Sequence, residues 1–309
     1  MSNYHVPVLL KESVDALALQ PNGIYVDATL GGGGHAEYIL TSQPKIRLFA
    51  FDQDEDSLTQ TRHLAEEYPN LTIIRDNFVN LRTCLALERI KKIDGILFDL
   101  GVSSHQINQP ERGFSFSLDG KLDMRMDTSA EMTAFDIINH FDPYELKKIF
   151  LEYGEEKEAG KIAKAIAEAR QNKQLETTLE LADIIDKSVF SKQKIKAKAR
   201  VFQALRIYIN GEMEVLQTAL SDAVKMLNPG GRVVVISYHS LEDRIVKKFF
   251  QYEEKECVCP SNFPQCVCDK KSTLKILTRK PLQPAEDEIN RNPRARSAKM
   301  RFAERKEEL

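Results

Sequence analysis

Residues 23–40 read GIYVDATLGGGGHAEYIL, a short apolar segment followed by four consecutive glycines and a helical pattern. Consecutive glycines favour positive φ angles or a close approach of the backbone to a ligand, because glycine has no Cβ. Gly31, Gly33 and Ala36 fit the G-x-G-x-x-A spacing of dinucleotide-binding loops. This spacing alone leaves three alternatives open: a bound phosphate, a different nucleotide, or a tight turn without a ligand.

Apolar runs at 23–29, 47–54, 71–78 and 93–101 predict strands buried on both faces, because they are rich in Val, Ile, Leu and Phe. Helical patterns lie between them, and this alternation is typical of an open α/β sheet with right-handed crossovers. A fifth strand is predicted at 230–239, where it follows the turn-forming residues Pro-Gly-Gly.

The segment 108–200 interrupts this alternation with a polar-aromatic loop and several helical patterns. We therefore predict a discontinuous α/β domain made of residues 1–107 and 201–309, with a helical insertion at 108–200. The tail after about residue 252 is charged and contains several prolines, so we expect irregular structure there.

Composition excludes several classes of protein. The chain has 309 residues with a net charge of −2, so any surface that binds nucleic acid must be local. It contains no apolar run of the roughly 18 residues that a membrane span needs, and its first residues lack the pattern of a signal peptide. We expect a cytoplasmic protein that does not bind membranes.

Two acids narrow the choice of ligand for the glycine loop. Asp27 stands four residues before Gly31, where dinucleotide sites usually have an apolar residue and methyltransferases have the acid of a D-x-G-x-G-x-G frame. Thr29 replaces the first glycine of that frame. Asp52 ends the second predicted strand and suits the ribose of either cofactor. Together with the Pro-Gly-Gly turn, Asp27 favours an S-adenosylmethionine-dependent methyltransferase over a nicotinamide-dependent oxidoreductase or an empty turn.

Longer motifs make the interpretation specific. The segment 96–127, ILFDLGVSSHQINQPERGFSFSLDGKLDMRMD, resembles the signature of the ribosomal RNA small-subunit methyltransferase H family, and the similarity extends to 5–17, 200–212, 236–250 and 292–305. The resemblance implies a class I (Rossmann-like) methyltransferase sheet with an inserted helical domain that recognises RNA. It also implies N4-methylation of a cytosine in the decoding region of 16S rRNA, within the 30S subunit.

The resemblance further implies a set of cofactor-binding residues, namely Gly33, Gly34, His35, Asp52, Phe78, Asp99 and Gln106. Most of these agree with the sheet pattern, because ligands of open α/β sheets bind at the carboxyl ends of the strands. We expect Phe78 to pack against the adenine and His35 to contribute its backbone rather than its ring. The alternative for Asp52 is a helix N-cap, because a helical pattern begins immediately after it.

Asp99 is the main candidate catalytic residue. N4 of cytosine is a poor nucleophile, so an acceptor at this strand end would hold and polarise the amino group beside the methyl donor. Many amino-methylating enzymes have an acid, asparagine or serine followed by two prolines here, whereas this chain has Asp99-Leu-Gly-Val. His239, after the fifth strand, is a second candidate that would relay the proton lost from N4, although a structural role is the commoner one.

Two basic segments are candidate phosphate-binding surfaces. Residues 187–206 contain seven Lys or Arg and no acid. The second segment lies near the C-terminus and contains Arg294, Arg296, Lys299, Arg301 and Arg305. Both would contact 16S rRNA, although a basic run is as often a solvated helix face.

Four of the five cysteines, Cys257, Cys259, Cys266 and Cys268, lie within twelve residues. Four thiolates are the ligands of a structural zinc ion, but the C-x-C spacing is tighter than the usual C-x-x-C. Four free thiols in a reducing compartment are the alternative. The sequence leaves two further alternatives open: a non-catalytic RNA-binding assembly factor, and a homodimer rather than a monomer.

Overall fold

A computed structural model describes residues 7–260 and 265–307 of the chain. The described residues form two compact units, one up to Gly101 and again from Met213 onward, the other from Val102 to Glu212. The sequence places the boundaries after 107 and 200 instead. The second boundary differs because a single helix, Lys194–Asn210, runs across residue 201, and its Val201 and Leu205 are buried in the core of the second unit.

Among the described residues, seven strands form one sheet in the order β3-β2-β1-β4-β5-β7-β6. The strands are β1 Ile24–Asp27, β2 Arg47–Asp52, β3 Leu71–Arg75, β4 Ile93–Asp99, β5 Leu227–Ser237, β6 Leu274–Ile276 and β7 Lys299–Arg305. The first five are parallel, and β7 is antiparallel to both β5 and β6. This confirms the predicted α/β fold of the class I (Rossmann-like) methyltransferases.

The prediction of an irregular tail is wrong, because β6 and β7 lie within it. The charged residues of β7 hide its strand pattern, and they are neutralised by partners far away in sequence. Arg301 pairs with Asp243, and Glu304 pairs with Arg232 of β5. These pairings allow a segment with four ionisable residues among seven to lie inside the sheet.

The α-helices alternate with the strands in the first unit and follow one another in the second. They are α1 Leu10–Leu17, α2 Gly34–Ser42, α3 Glu55–Glu67, α4 Leu81–Leu87, α5 Ser104–Asn108, α6 Ala134–His140, α7 Pro143–Glu152, α8 Ala159–Ala169, α9 Thr178–Ser188, α10 Lys194–Asn210, α11 Glu212–Met226, α12 Ser240–Glu254 and α13 Glu286–Arg291. In the described part of the chain, no helix is both long and apolar enough to span a membrane.

Both faces of the sheet are covered, as the apolar strands predict. Phe49, Ile96 and Phe98 point to one core, which includes residues of α4, α11 and α12. Leu48 and Leu97 point to the other, which includes residues of α1, α2 and α3. Because side chains alternate along a strand, each apolar run supplies both cores and fixes the strand ends at one polar edge.

The helical unit has its own core, built from one buried stripe on each of α6 to α10. Its helices begin where the sequence supplies capping residues: the side chains of Thr133, Asp142 and Thr177 each accept hydrogen bonds from the first turn of α6, α7 and α9. The helical insertion predicted from the 3.6-residue periodicity is therefore a folded unit with its own apolar interior.

Candidate active site

The glycine loop between β1 and α2 needs its glycines for two different reasons. Gly31 and Gly33 have φ angles of 51° and 78°, in the left-handed region that favours glycine. A Cβ on Gly33 would lie 2.4 Å from Cδ1 of Leu64, and one on Gly34 would lie 2.3 Å from Cγ of Pro7. Close packing inside the protein therefore disfavours a side chain at Gly33 and at Gly34, whether or not a ligand binds there.

Asp52 orders this loop from the end of β2. Its Oδ2 accepts a hydrogen bond from the Gly31 N–H at 2.8 Å, and its Oδ1 accepts one from the Asp54 N–H at 2.9 Å. Burial is the main cause that raises the pKa of Asp52 to about 6. The N-cap of α3 is Asp54, whose side chain accepts from the Asp56 N–H, so Asp52 does not serve as that cap.

Asp27 and Thr29 join the ends of β1 and β4. Asp27 is fully buried, and its Oδ1 accepts from the Thr29 N–H at 3.0 Å. The Thr29 hydroxyl accepts from the Asp99 N–H at 2.7 Å, which gives the threonine a structural role where the methyltransferase frame has glycine. Burial first, then the neighbouring carboxylates of Asp99 and Asp52, raise the pKa of Asp27 to about 6, while His35 opposes the rise.

Asp99 lies at the end of β4, and its side chain is only 11% exposed. Its Oδ1 accepts a hydrogen bond from the Tyr238 hydroxyl at 2.8 Å, and its Oδ2 lies 3.6 Å from Nδ1 of His35. The His35 ring is buried, with Nε2 3.3 Å from the carbonyl oxygen of Val8. Helix α2 directs the buried His35 ring toward Asp99, and the expectation that His35 contributes only its backbone to cofactor binding stays a prediction.

Protonation of His35 decides which group donates to Asp99. Burial lowers the pKa of His35, so the neutral ring is favoured. The contact with the Val8 carbonyl requires the proton on Nε2, which leaves Nδ1 as an acceptor facing the carboxylate. Tyr238 therefore supplies the hydrogen-bond donor that orients Asp99, and this carboxylate together with burial raises the pKa of the Tyr238 phenol.

Phe78 lies just beyond β3, as the first residue of a short 3₁₀ turn that ends at Asn80. Its ring packs edge-to-face against Phe98 of β4, with ring centroids 5.6 Å apart. The side chain is only partly buried, so one side of it is accessible at the polar edge of the sheet. Its predicted contact with an adenine ring stays a prediction.

The arrangement favours a cationic ligand. Asp27, Asp52 and Asp99 end β1, β2 and β4, which are neighbours in the sheet order β2-β1-β4. Burial raises the pKa values of Asp27 and Asp52, and the charges of the other two acids also oppose the ionisation of Asp27. A cation bound here would relieve this repulsion, whereas the pyrophosphate of a dinucleotide would add to it.

Known proteins resemble the chain over nearly its whole length. A ribosomal RNA small subunit methyltransferase H from Halothermothrix orenii is 49% identical over 305 residues, with 97% of this chain and 98% of that protein covered. The protein of the same name from Carboxydothermus hydrogenoformans is 50% identical over 305 residues, with 97% of each covered. A solved rRNA methylase from Streptococcus thermophilus aligns over 98% of this chain and 99% of its own at 14% identity, with a TM-score of 0.45.

Residues 2–306 match the sequence profile of the MraW methylase family. The chain belongs to this family. The resemblance inferred from the sequence motifs is thereby confirmed, and it extends through both units of this MraW methylase.

Sequence reasoning missed Tyr238 of this MraW methylase. The residue follows β5, and Ile236 of β5 lies directly opposite Asp99 of β4 in the parallel register. Two residues further along, the tyrosine hydroxyl therefore reaches the Asp99 carboxylate. The signal that could have found it is strand adjacency: a polar side chain just after the strand next to β4 reaches the same edge of the sheet.

His239 caps helix α12 in the structure. Its Nδ1 accepts from the Glu242 N–H at 3.4 Å, and the Glu242 carboxylate accepts from the backbone N–H groups of Tyr238 and His239. Nε2 of His239 lies 3.0 Å from Oε1 of the same carboxylate, although the geometry does not form a hydrogen bond. This capping box accounts for the histidine, and its role as a proton relay stays a prediction.

Gln106 lies in α5 of the helical unit, where it is 5% exposed. Its side-chain oxygen accepts from the Ser103 N–H at 2.9 Å, and its own N–H donates to the Ser103 hydroxyl at 3.2 Å. The residue therefore closes a capping box at the start of α5. Its predicted contact with the cofactor stays a prediction.

Acidic side chains outside the basic run 187–206 neutralise part of its positive charge. Four of its seven cations pair with acids that lie outside the run: Lys187 with Asp183, Lys198 with Asp186, Arg200 with Glu156, and Arg206 with Glu212. No ion pair within the described residues involves Lys192, Lys194 or Lys196. These three form a lysine triad, flanked by Phe190 and Ile195, whose side chains are 73% and 71% exposed.

The C-terminal basic segment also contains both paired cations and exposed ones. Arg301 is only 7% exposed, and its Nε donates to Oδ1 of Asp243 at 2.6 Å. Lys299 approaches the other oxygen of the same carboxylate at 3.6 Å. The prediction that Arg301 binds phosphate is wrong, because the residue is a buried partner of Asp243 within the sheet. Arg294 and Arg296 are exposed in the turn before β7.

The four clustered cysteines converge although they come from two separate positions along the loop between α12 and β6. Their Sγ atoms all lie within 4.8 Å of one another. All four are free thiols, as is the fifth cysteine, Cys84, which is buried elsewhere beside α4. The cluster therefore brings together the donor set that the sequence indicates for a metal.

Proposed function

We propose that this MraW methylase transfers a methyl group from S-adenosylmethionine to N4 of a cytosine in the decoding region of 16S rRNA. The observation that carries the proposal is a group of three carboxylates at the ends of β1, β2 and β4, namely Asp27, Asp52 and Asp99, here called the carboxylate ring. It lies beside the glycine loop, in which Gly31 and Gly33 have left-handed φ angles. The proposed substrate is supported by relatives that are about 50% identical and are named small-subunit rRNA methyltransferases.

The residues at the strand ends fit S-adenosylmethionine. The cofactor carries a positive charge on sulfur and no phosphate, and it would meet Asp52 and Asp99, while the fully buried Asp27 holds the loop through Thr29. The carboxylate of Asp52 retains lone pairs for the two ribose hydroxyls, since each of its oxygens accepts one backbone N–H. Phe78 offers a partly exposed ring at the same edge for the adenine. The space beside Gly31 is open: a Cβ placed on this glycine would lie 3.9 Å from its nearest neighbour, the Thr29 carbonyl oxygen.

Methyl transfer here depends on holding the amino group of the base. When bound, the cofactor supplies a methyl group already activated by its sulfonium. Asp99 is proposed to accept a hydrogen bond from N4, which orients the amino lone pair and takes up positive charge as the new C–N bond forms. Tyr238 fixes the Asp99 carboxylate for this task. Methylation of N4 would release the demethylated cofactor as a neutral thioether, and N4 would lose one proton to Asp99 or to solvent.

The lysine triad is proposed as part of the RNA-binding surface. Lys192, Lys194 and Lys196 have no acid partner within the described residues, and the exposed Phe190 beside them offers a face on which a base stacks. The target cytosine must leave its stack, or already lie in an open structure, for N4 to reach Asp99. An assembled 30S subunit is the proposed substrate, in which the folded rRNA would hold the target cytosine in such a structure.

Two alternative functions are a nicotinamide-dependent oxidoreductase and a non-catalytic RNA-binding factor. They are separated by one assay, in which the protein is incubated with 30S subunits lacking the modification and with S-adenosylmethionine labelled on the methyl group. The proposal expects label in 16S rRNA. Binding of NAD in place of S-adenosylmethionine would support the first alternative, and RNA binding without label would support the second.

The raised pKa of Asp52 gives a prediction for cofactor affinity. The cation favours the ionised carboxylate, so the pKa of Asp52 should fall on binding and protons should be released. Affinity should therefore weaken as the pH falls from about 7 through 6, where Asp52 takes up its proton in the free protein. Calorimetry in buffers of different ionisation enthalpy measures both the affinity and the released protons.

Asp52→Asn should weaken cofactor binding at pH 7 at least about tenfold, since a hydrogen bond to a charged group contributes about 1.5–3 kcal/mol. It should also flatten the pH profile. Asp54→Asn is the matched control: it removes the same charge two residues away and keeps an oxygen for the α3 cap. Equal affinities for the Asp52→Asn variant and the wild type would remove Asp52 from the binding site.

A further inference from the structure

The loop between α12 and β6 contains two identical tripeptide arms, Cys257-Val258-Cys259 and Cys266-Val267-Cys268. The sulfur atoms of Cys266 and Cys268 are 3.6 Å apart, and those of Cys257 and Cys268 are 3.8 Å apart. All four sulfurs lie within 4.8 Å of one another. The arms therefore face each other with their thiols gathered around one point.

These separations fit a metal site and are too long for a disulfide, and free thiols in contact reach the same distances. Zinc–sulfur bonds of about 2.3 Å in a regular tetrahedron place the sulfurs about 3.8 Å apart. A disulfide would need two sulfurs at about 2.05 Å. The measured distances of 3.6 and 3.8 Å are those of tetrahedron edges, and they are reached without a bond between any two sulfurs.

Backbone N–H groups already point at the sulfurs. The Val258 N–H lies 3.4 Å from Sγ of Cys268, and the Val267 N–H lies 3.4 Å from Sγ of Cys259. The central amide of each arm thus donates to the second cysteine of the opposite arm. Donors of this kind stabilise thiolates that hold a metal and orient them, and their reciprocal arrangement relates the arms by an approximate twofold axis.

Among the described residues of the loop, the two apolar side chains at the centres of the arms do not form a buried interior that could hold this arrangement. Val258 and Val267, the central residues of the arms, are 39% and 68% exposed. Hydrogen bonds join the last residues of the loop to α12: the Ser272 hydroxyl donates to the Glu254 carbonyl and the Thr273 N–H to the Glu253 carbonyl, both at 2.8 Å. Small exposed segments of this kind are commonly ordered by a metal in place of a core.

We infer that Cys257, Cys259, Cys266 and Cys268 bind one zinc ion as a closed structural site. Four protein thiolates fill the tetrahedron, so no position is left for water or substrate, and the ion takes no part in methyl transfer. Its task is to hold the two arms together and order the loop between α12 and β6. This inference is independent of the proposed function.

The test is metal analysis of the full-length protein purified without chelators. About one zinc per chain is expected, and the double variant Cys257→Ser/Cys266→Ser, with one change in each arm, should lose it. Cys84→Ser is the matched control, because it removes the one thiol outside the cluster, and it should retain the ion. Cobalt(II) in place of zinc should give the absorption of a tetrahedral thiolate complex.

Removing zinc from the wild-type protein with a chelator should speed proteolysis and hydrogen exchange at 255–273 while the α/β core keeps its exchange protection. Wild-type protein that stays metal-free when dialysed against buffered zinc would overturn the inference. So would iron in place of zinc, or mass spectrometry showing disulfides between the arms. Chelation of the wild-type protein needs no substitution, so this experiment tests the zinc site even if the double variant fails to fold.

Discussion

Asp99→Ala is expected to lower the single-turnover rate of methyl transfer, at saturating cofactor and RNA, by about 100-fold or more. This should be the largest loss from any single substitution at the site. The substitution removes the acceptor that is proposed to hold N4, and misplacing a reacting group by about 1 Å costs about 100-fold. The Tyr238 hydroxyl donates to the Asp99 carboxylate, and the Asp99 backbone N–H donates to the Thr29 hydroxyl, so a hydrogen bond holds the side chain and another holds the main chain.

Tyr238→Phe separates the position of Asp99 from its presence. It keeps the ring and removes the hydroxyl that donates to Oδ1, so the rate should fall about tenfold or more but less than for Asp99→Ala, since a hydrogen bond to a charged group contributes about 1.5–3 kcal/mol. Cofactor affinity measured by calorimetry on both variants distinguishes lost chemistry from lost binding. An Asp99→Ala enzyme that transfers methyl at the wild-type rate would reduce Asp99 to a structural strand end.

The second large effect is expected from replacing Lys192, Lys194 and Lys196 together by Gln. Each phosphate contact contributes about 0.7 to 0.9 to the slope of log affinity against log salt. Losing three should flatten that slope by about two to three units and weaken binding to 16S rRNA about 100-fold at 0.1 M salt. Cofactor affinity should stay constant, because the triad lies in the helical unit.

A matched control removes three charges elsewhere. Lys91, Lys92 and Lys225 precede β4 and β5, so they lie at the amino ends of the parallel strands, opposite the carboxylate ring. Replacing them by Gln changes the net charge equally and should leave the salt slope nearly intact. If both triple variants flatten the slope to the same extent, the attraction is general and the lysine triad is not a docking surface.

The parallel part of the fold could be predicted because its information is local. The first five strands carry continuous apolar runs, and their ends supply Asp52 and Asp99 at the expected positions. Strand β7 could not be predicted in this way, because its charges are neutralised by Asp243 and Arg232, residues remote in sequence. The basic run 187–206 misleads for the same reason, since its acid partners lie outside it.

Within the site, residue type and spacing identified the carboxylates but not their partners. The contacts of Asp99 with Tyr238 and His35 depend on the strand order β1-β4-β5 and on the direction in which α2 leaves the glycine loop. The reasons for the glycines could be predicted only in part. The sequence predicts a left-handed backbone or the approach of a ligand, but it does not reveal that Gly33 packs against Leu64 and Gly34 against Pro7.

The most direct test of the account is nucleoside analysis of 16S rRNA after the protein has acted on 30S subunits with S-adenosylmethionine. The account predicts one N4-methylated cytidine per 16S molecule, located in the decoding region, and its absence when Asp99→Ala replaces the wild-type enzyme. A methyl group on another atom or base, or on a protein of the subunit, would contradict it.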